Sequence, residues 1–373
     1  MNFIPVNEPV LNGNERKYLN ECIDTGWISS EGSFVKKLEE KMSAYVGRKY
    51  GVATCNGSVA LDLIVEALEL QPGDEVIMPT FTIISCAAAL VRKQIKPVLV
   101  DADIATWNMD INQIEEKITK KTKAIMIVHL YGLPVDVDPI LKIAEKYQLF
   151  VIEDAAEAHG LEYKGKKCGS FGDITALSFY PNKHITTGEG GMVLTDNERL
   201  RDRCQSFRNL CHTPARRFVH EELGYNFRMS NIQAAVGVAQ LERIEEHLKK
   251  KKDIGKLYQE LLQGIEGIRL PVKGTEYAEN VYWVFGLVLE KDIPMNAIEM
   301  MQKLKEKQIG CRPFFYPMHL QPVFQKMGLF QEERYPVAEN LGERGFYIPS
   351  GLGVTQEQQR YIVNSLKEIL ESV

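Results

Sequence analysis

Ser178-Phe179-Tyr180-Pro181-Asn182-Lys183-His184-Ile185-Thr186-Thr187-Gly188-Glu189-Gly190-Gly191 decides how this chain is read. One lysine stands between a strand-like apolar run, Ile174 to Phe179, and a turn of threonine and glycine. A second strand-like run, Met192-Val193-Leu194-Thr195, follows directly. A lysine at a sheet edge ordinarily lays its methylenes on apolar surface and keeps its charge in water. A tight glycine-rich turn changes that expectation, because an amine held in one place can form a Schiff base with a carbonyl cofactor. Upstream, Leu149-Phe150-Val151-Ile152 runs into Glu153-Asp154-Ala155-Ala156, which puts a carboxylate at the end of a predicted strand. There it suits the ring nitrogen of pyridoxal phosphate. Lys183 and Asp154 are the catalytic candidates on which the rest is tested.

Outward from this stretch, short strands are predicted at 52–55, 75–78, 97–100, 124–128 and 149–152. Helices are predicted from 12 to about 23, on the spacing of Phe34, Leu38, Met42 and Tyr45, and at 59–70, 83–92, 111–118 and 139–147. Strands alternating with helices argue for an α/β fold with a mostly parallel sheet covered on both faces. Ligands in such folds collect at the carboxyl ends of the strands, where Asp154 lies. A helix through Leu200 and Cys204 leads to an irregular basic stretch, 208–217. One long helix is expected over 231–252, capped by Ser230 or Asn231. It ends in Lys249-Lys250-Lys251-Lys252, read as a solvated terminus favoured by the helix dipole. Beyond it a strand at 282–289 and helices at 296–308 and 356–371 predict a smaller α+β unit. The expected division is therefore a large domain over 1–252 and a small C-terminal domain over 253–373.

Composition excludes several function classes. The 373 residues carry a net charge of −5, which is no footprint for nucleic acid. Seven cysteines without a Cys-x-x-Cys pair, and seven histidines without ligand spacing, suggest neither a disulfide framework nor a metal site. Met1-Asn2-Phe3-Ile4-Pro5 is no signal peptide, and the longest apolar run falls short of the roughly 20 residues that span a bilayer. A soluble, cytoplasmic protein that binds no membrane is expected.

Asn56-Gly57-Ser58, between a strand and a helix, reads either as a plain N-cap or as a phosphate site of exposed amides and a hydroxyl. Ser178 has the same two readings. Phe81 or Ile83 would cover the face of the cofactor ring, although Phe81 also suits the core. Glu157 would bond the cofactor's phenolic oxygen or be a surface carboxylate. His159 and His184 are expected to be structural, since Lys183 can itself move protons.

Taken in order, Thr25-Gly-Trp-Ile-Ser-Ser30, Asn56-Gly-Ser58, Pro72-Gly-Asp-Glu-Val76, His129-Leu-Tyr-Gly132, Ile152-Glu-Asp-Ala-Ala156, Ser178 to Gly191 and Gly224-Tyr-Asn-Phe-Arg-Met-Ser-Asn231 resemble the DegT/DnrJ/EryC1/StrS family of nucleotide-sugar aminotransferases. The resemblance implies the aspartate aminotransferase type fold (fold type I) and pyridoxal 5'-phosphate as cofactor. Lys183 would carry the cofactor, Asp154 would hold its ring nitrogen, and Gly57, Ser58 and Ser178 would bind its phosphate. Asn226 would reach the cofactor of a partner subunit, making a homodimer with shared active sites. Glu157 falls where many members place a glutamine, and Ile83 where many place the stacking aromatic, with Phe81 nearby. Trp27, Ser29, Arg312 and His319 are the implied substrate contacts, the last two within Arg312-Pro-Phe-Phe-Tyr-Pro-Met-His319. Arg216, Arg217 and Arg228 are further candidates for the nucleotide diphosphate, and each, like Arg312 and His319, reads equally as a surface ion-pair residue.

The implied reaction moves the amino group of L-glutamate to C4 of a nucleotide-linked 4-keto-6-deoxy sugar. GDP-4-keto-6-deoxy-D-mannose, giving GDP-perosamine for a surface glycan such as O-antigen, is favoured. A dTDP- or UDP-linked 3- or 4-keto sugar is the alternative. A dehydratase branch of the family replaces the lysine with histidine. Here Lys183 holds the position two residues before Ile185-Thr186-Thr187, so a transaminase is expected. A cofactor-binding regulator is disfavoured by the lack of a basic DNA-binding segment.

Overall fold

Seven of the short apolar runs assemble into a single sheet in the computed structural model, which describes residues 2–213 and 216–372. The strands are β1 (Tyr50–Thr54), β2 (Glu75–Pro79), β3 (Lys96–Val100), β4 (Thr122–Val128), β5 (Phe150–Asp154), β6 (Ile174–Ser178) and β7 (Gly191–Thr195). Their order across the sheet is β1-β7-β6-β5-β4-β2-β3. β7 pairs antiparallel with both neighbours, while every other pairing is parallel. Side chains alternate between two apolar layers: Val76, Met78, Ala124 and Met126 enter one, Ile77, Ile125 and Ile127 the other. That alternation explains why the strands read as continuous apolar runs, since both faces are covered.

Two predicted helices come out differently. Residues 111–118 form two single 3-10 turns, Ile111–Gln113 and Glu115–Lys117. The Asp110 carboxylate takes the Asn112 amide at 3.1 Å and the Gln113 side chain at 2.9 Å, which ties the segment down locally. So short a stretch gains little from α-helical propagation. The expected long helix is two helices, Asn231–Leu241 and Ile244–Leu261. Ser230 and Gln233 form a capping box at the start of the first, and the chain breaks at Arg243, with φ −119° and ψ 14°. The lysine run thus lies inside the second helix rather than at an end, and Lys251 points inward with only 3% of its surface exposed.

The C-terminal part forms a four-stranded antiparallel sheet of Ile268–Arg269, Phe285–Leu289, Gly345–Ile348 and Arg312–Pro313, in that order. Helices Ala297–Glu306 and Gln356–Glu371 pack with it around Tyr258, Phe285, Phe346 and Leu366. Ile4 joins this core and bridges to Ile309, so the start of the chain packs on the C-terminal part. Other C-terminal residues cross the opposite way. Phe314, Met318, Phe324 and Tyr335 share the core of Val76 and Met78, and the Asp101 carboxylate takes the amides of Val337 and Ala338 at 3.1 and 2.8 Å. Among the described residues no helix is long and apolar enough to cross a membrane.

Candidate active site

The carboxyl ends of β1, β5 and β6 open into one cleft of about 720 Å³. Asp154 is the last residue of β5, buried on its floor. Its Oδ1 accepts the Ala156 amide at 3.0 Å and its Oδ2 the Cys86 thiol at 3.1 Å. The neighbouring Glu153 faces the other way. Its Oε1 accepts His129 Nε2 at 2.9 Å, and its Oε2 accepts the Phe171 amide at 3.0 Å and the Thr175 hydroxyl at 3.2 Å. Burial opposes the charge of Glu153, but His129 and these donors outweigh it and hold the carboxyl down to about 2. His129, Glu153 and Cys168 cluster closely enough to suggest a metal site by distance. The Glu153 oxygens are nevertheless committed to amides and a hydroxyl, so the group anchors the strand that presents Asp154.

Helix Gly57–Ala67 begins at the mouth of the cleft, where the Asn56 side chain accepts the Val59 amide at 3.0 Å. Amides of the first helical turn have no acceptor within the helix and form the positive end of its dipole. Ser178 closes in from β6. A Cβ on Gly57 would lie 2.7 Å from Ser178 Cβ, and one on Gly191 would lie 2.4 Å from the Asn56 carbonyl. Only glycine permits that approach. Ser58 Oγ and Ser85 Oγ lie 2.7 Å apart beside the same turn. Amides, hydroxyls and a helix start converging on a space that glycine keeps open make a cradle for a phosphate.

Lys183 is fixed by its turn: its amide donates to the Tyr180 carbonyl at 2.9 Å, and Thr187 N returns to Phe179 O at 3.0 Å. The side chain is about 10% exposed, with Nζ 3.6 Å from Glu157 Oε1 and 3.7 Å from the centroid of the Trp283 ring. Burial lowers the Lys183 pKa, against the pull of Glu157 and Asp154. Burial also pushes Glu157 up to about 7, although Lys183 and the Tyr131 amide, donating at 3.0 Å, favour its charge. Burial thus disfavours the charge on both groups while each favours the charge of the other, the balance expected of an acid–base pair in a partly closed site. The arrangement fits pyridoxal phosphate: an amine for its carbonyl, a buried carboxylate for its nitrogen, and an anion cradle across the cleft.

The remaining expected residues divide. Ile83 and Arg312 line the cleft. Phe81 does not: it is 0% exposed, with Tyr131, Phe314 and Phe315 around it at ring distances of 6.0, 5.9 and 6.1 Å. Its register on the loop after β2 turns it into the core, so the wall there is Ile83. His319 is likewise buried away from the cleft, Nδ1 to Thr80 Oγ1 at 2.9 Å and Nε2 to Glu339 at 3.1 Å, which makes it a tie between the two sheets' surroundings. Trp27, 57% exposed, and Ser29 sit on a loop whose carbonyls accept from Asn231, and neither lines this subunit's cleft. Asn226 is also exposed and outside it. Arg216 is on a hairpin strand, Arg228 bonds Asn209, and the Arg217 side chain, like Pro214 and Ala215, lies outside the described residues. His159 stacks on Phe179 at 5.5 Å, and burial, with Lys183 nearby, brings it down to about 3. His184 Nδ1 meets the His159 carbonyl at 3.1 Å.

Sequence reasoning missed Cys86, Trp283 and Tyr347. Cys86 lies one helical turn beyond the loop after β2, and no local pattern marks it. Trp283 and Tyr347 arrive from the C-terminal sheet, about a hundred residues and more beyond Lys183, so only their proximity in space reveals them.

The model of the DegT/DnrJ/EryC1/StrS aminotransferase family matches residues 9–367. The chain is 42% identical over 368 residues to GDP-perosamine synthase of Escherichia coli O157:H7, covering 99% of each chain. It is 37% identical over 372 residues to GDP-perosamine synthase of Vibrio cholerae, covering 100% of each. Among solved structures, the PLP-form of Spr1654 from Streptococcus pneumoniae superposes with a TM-score of 0.92 at 27% identity, covering 99% of each chain. The chain belongs to the DegT/DnrJ/EryC1/StrS aminotransferase family. It has the fold type I architecture and is a sugar aminotransferase that uses pyridoxal phosphate.

Proposed function

We propose that this family member transfers the amino group of L-glutamate to C4 of GDP-4-keto-6-deoxy-D-mannose, giving GDP-perosamine. The observation that carries the aminotransferase chemistry is the Lys183 amine, 3.6 Å from Glu157 and held by its own turn in the cleft that Asp154 floors. The choice of sugar is supported by the full-length likeness to two proteins named GDP-perosamine synthase.

Bound pyridoxal phosphate supplies an electron-accepting ring on which the amino group is carried from one substrate to the other. In this reading Gly57, Ser58 and Ser178 bind its phosphate, and Glu157 meets its phenolic oxygen. Asp154, buried, keeps a proton on the ring nitrogen and so keeps the ring electron-poor. Lys183 anchors the cofactor at rest and, once displaced by a substrate amine, takes a proton from carbon at Nζ and returns it. Ile83 walls the ring. Arg312, at the mouth, offers a cation to the nucleotide diphosphate. Asn226, exposed and outside its own cleft, is suited to reach the cofactor of a second subunit in a homodimer, and Trp27 and Ser29 to reach that subunit's substrate. The chain is read as a large domain over 1–252 and a small one over 253–373, with Ile4 joining the latter. A cytoplasmic enzyme supplying a surface glycan fits an activated sugar substrate.

Glutamate should convert the cofactor to its amine form, with loss of the aldehyde absorbance. Adding GDP-4-keto-6-deoxymannose should restore the aldehyde form. Restoration by a dTDP- or UDP-linked keto sugar alone would overturn the substrate and keep the class. An unchanged spectrum with glutamate would overturn the donor.

A further inference from the structure

Trp283 has the closest ring contact to the Lys183 amine, and the reaction read above gives it no role. Its side chain is 4% exposed and lines the cleft. The indole face lies under Nζ at 3.7 Å from the ring centroid, and Nε1–H donates to the Asn182 carbonyl at 2.7 Å, one residue before the lysine. One side chain thus holds both the amine and the turn that carries it.

The chain around Trp283 is built for this placement. Val281 N donates to the Gly132 carbonyl at 2.9 Å, and the Asn280 side chain accepts the Tyr282 amide at 2.7 Å. A Cβ on Gly132 would lie 2.4 Å from Trp283 N, and Gly132 has φ +99°, so glycine is needed there on two counts. Tyr282 is held at φ +54°, an uncommon conformation for a tyrosine. The indole also stacks on Tyr131 at 6.2 Å and 21°. Backbone held so firmly, ahead of the strand Phe285–Leu289, leaves the ring little freedom to leave the amine.

We propose that Trp283 is a positioning residue for Lys183: its indole face seats the ammonium formed when the lysine takes a proton, and its N–H fixes the turn. The inference rests on Lys183 being the lysine that anchors the cofactor and moves the proton. In that step the proton passes from substrate carbon to Nζ, while the electron pair of the broken C–H bond stays with the conjugated substrate. The reverse transfer discharges the ammonium. An ammonium created in a partly closed cleft needs a partner, and an aromatic face attracts it without itself titrating.

Other groups among the described residues also face Lys183. Glu157 and Asp154 come from the end of β5 and the loop after it, and His159 and His184 stand behind the turn. Arg312 and Tyr347 reach the cleft from the C-terminal sheet. Of these, only Glu157 is an anion within 4 Å of Nζ in the structure.

The test uses the full-length apoprotein and follows capture of pyridoxal phosphate by absorbance across pH, because only the uncharged amine attacks. The midpoint of that profile reads the Lys183 amine directly. Trp283→Leu should move it to lower pH by about 0.5 to 1.5 units, the range expected for a lost cation–π contact. Trp283→Phe, which keeps a ring face, should leave it closer to wild type. Should Trp283→Leu fail to fold, wild-type sequence made with mono-, di- and trifluorotryptophan keeps the shape and weakens the face in steps. The midpoint should then fall with each fluorine. A midpoint unmoved by Trp283→Leu or by fluorination would overturn the seat. Schiff-base absorbance that persists in Lys183→Ala would instead overturn Lys183 as the anchor, a separate result.

Discussion

Lys183 and Lys251 are both lysines taken out of water, and their surroundings give them different chemistry. Lys183 stands on a turn at a strand end, beside a carboxylate at 3.6 Å and an indole face at 3.7 Å, and opens to the cleft. Lys251 lies within the helix Ile244–Leu261, and its Nζ donates at 2.5 Å to one backbone carbonyl, that of Ser350. Burial alone brings Lys251 down to about 7, with no anion among the described residues opposing it. Burial also lowers Lys183, against the opposing pull of Glu157 and Asp154. A depressed lysine is therefore no sign of catalysis by itself. What separates the two is a proton partner and access for a ligand.

The sharpest way to break this contrast is to remove each amine. Lys183→Ala should lower turnover by about 10³-fold or more, measured with glutamate and the keto sugar, since both anchor and proton carrier are lost. A next step asks whether the cleft at Lys183 holds the nucleotide. Arg312→Ala should raise KM for the nucleotide sugar by about 10- to 100-fold with a smaller change in kcat, through loss of a charge-assisted contact. A KM unchanged from wild type would remove Arg312 from the site.

Lys251→Met should leave turnover within a few-fold of wild type and change the pH dependence of stability instead. The folded pKa of about 7 lies below the unfolded value of about 10.4, so between them the unfolded chain binds more protons. Stability from this group is therefore lost as pH falls from 10.4 towards 7, by about 1.4 kcal/mol per pH unit. Denaturant titrations of Lys251→Met across that window should lack this slope. The smallest effect belongs to Glu157→Gln, which keeps an acceptor for the Tyr131 amide. It should cost no more than about tenfold in kcat and remove a limb near pH 7 from the pH–rate profile. A limb that survives the substitution belongs to another group.

Much of the candidate site was legible because its parts are short-range. Asp154 ends a strand, Asn56-Gly57-Ser58 opens a helix, and Lys183 sits on a glycine turn, so each carries its geometry within a few residues. Residues whose role depends on direction were read less well. Phe81 and Ile83 are two positions apart, yet the loop turns the first into the core and the second into the cleft. His319, seven residues after Arg312, bonds Thr80 and Glu339 instead of facing the ligand space.

The alternating α/β order, the lysine turn, the strand-end carboxylate and the family likeness are all legible in the chain, because these rest on local backbone chemistry and on the pattern of apolar residues. Packing alone reveals that one lysine of a run of four is buried, that Trp283 lies against Lys183, and that the helix expected to run on past Leu241 breaks at Arg243. Burial and contact between segments a hundred residues apart follow from how whole elements pack, and neighbours in sequence carry no record of them.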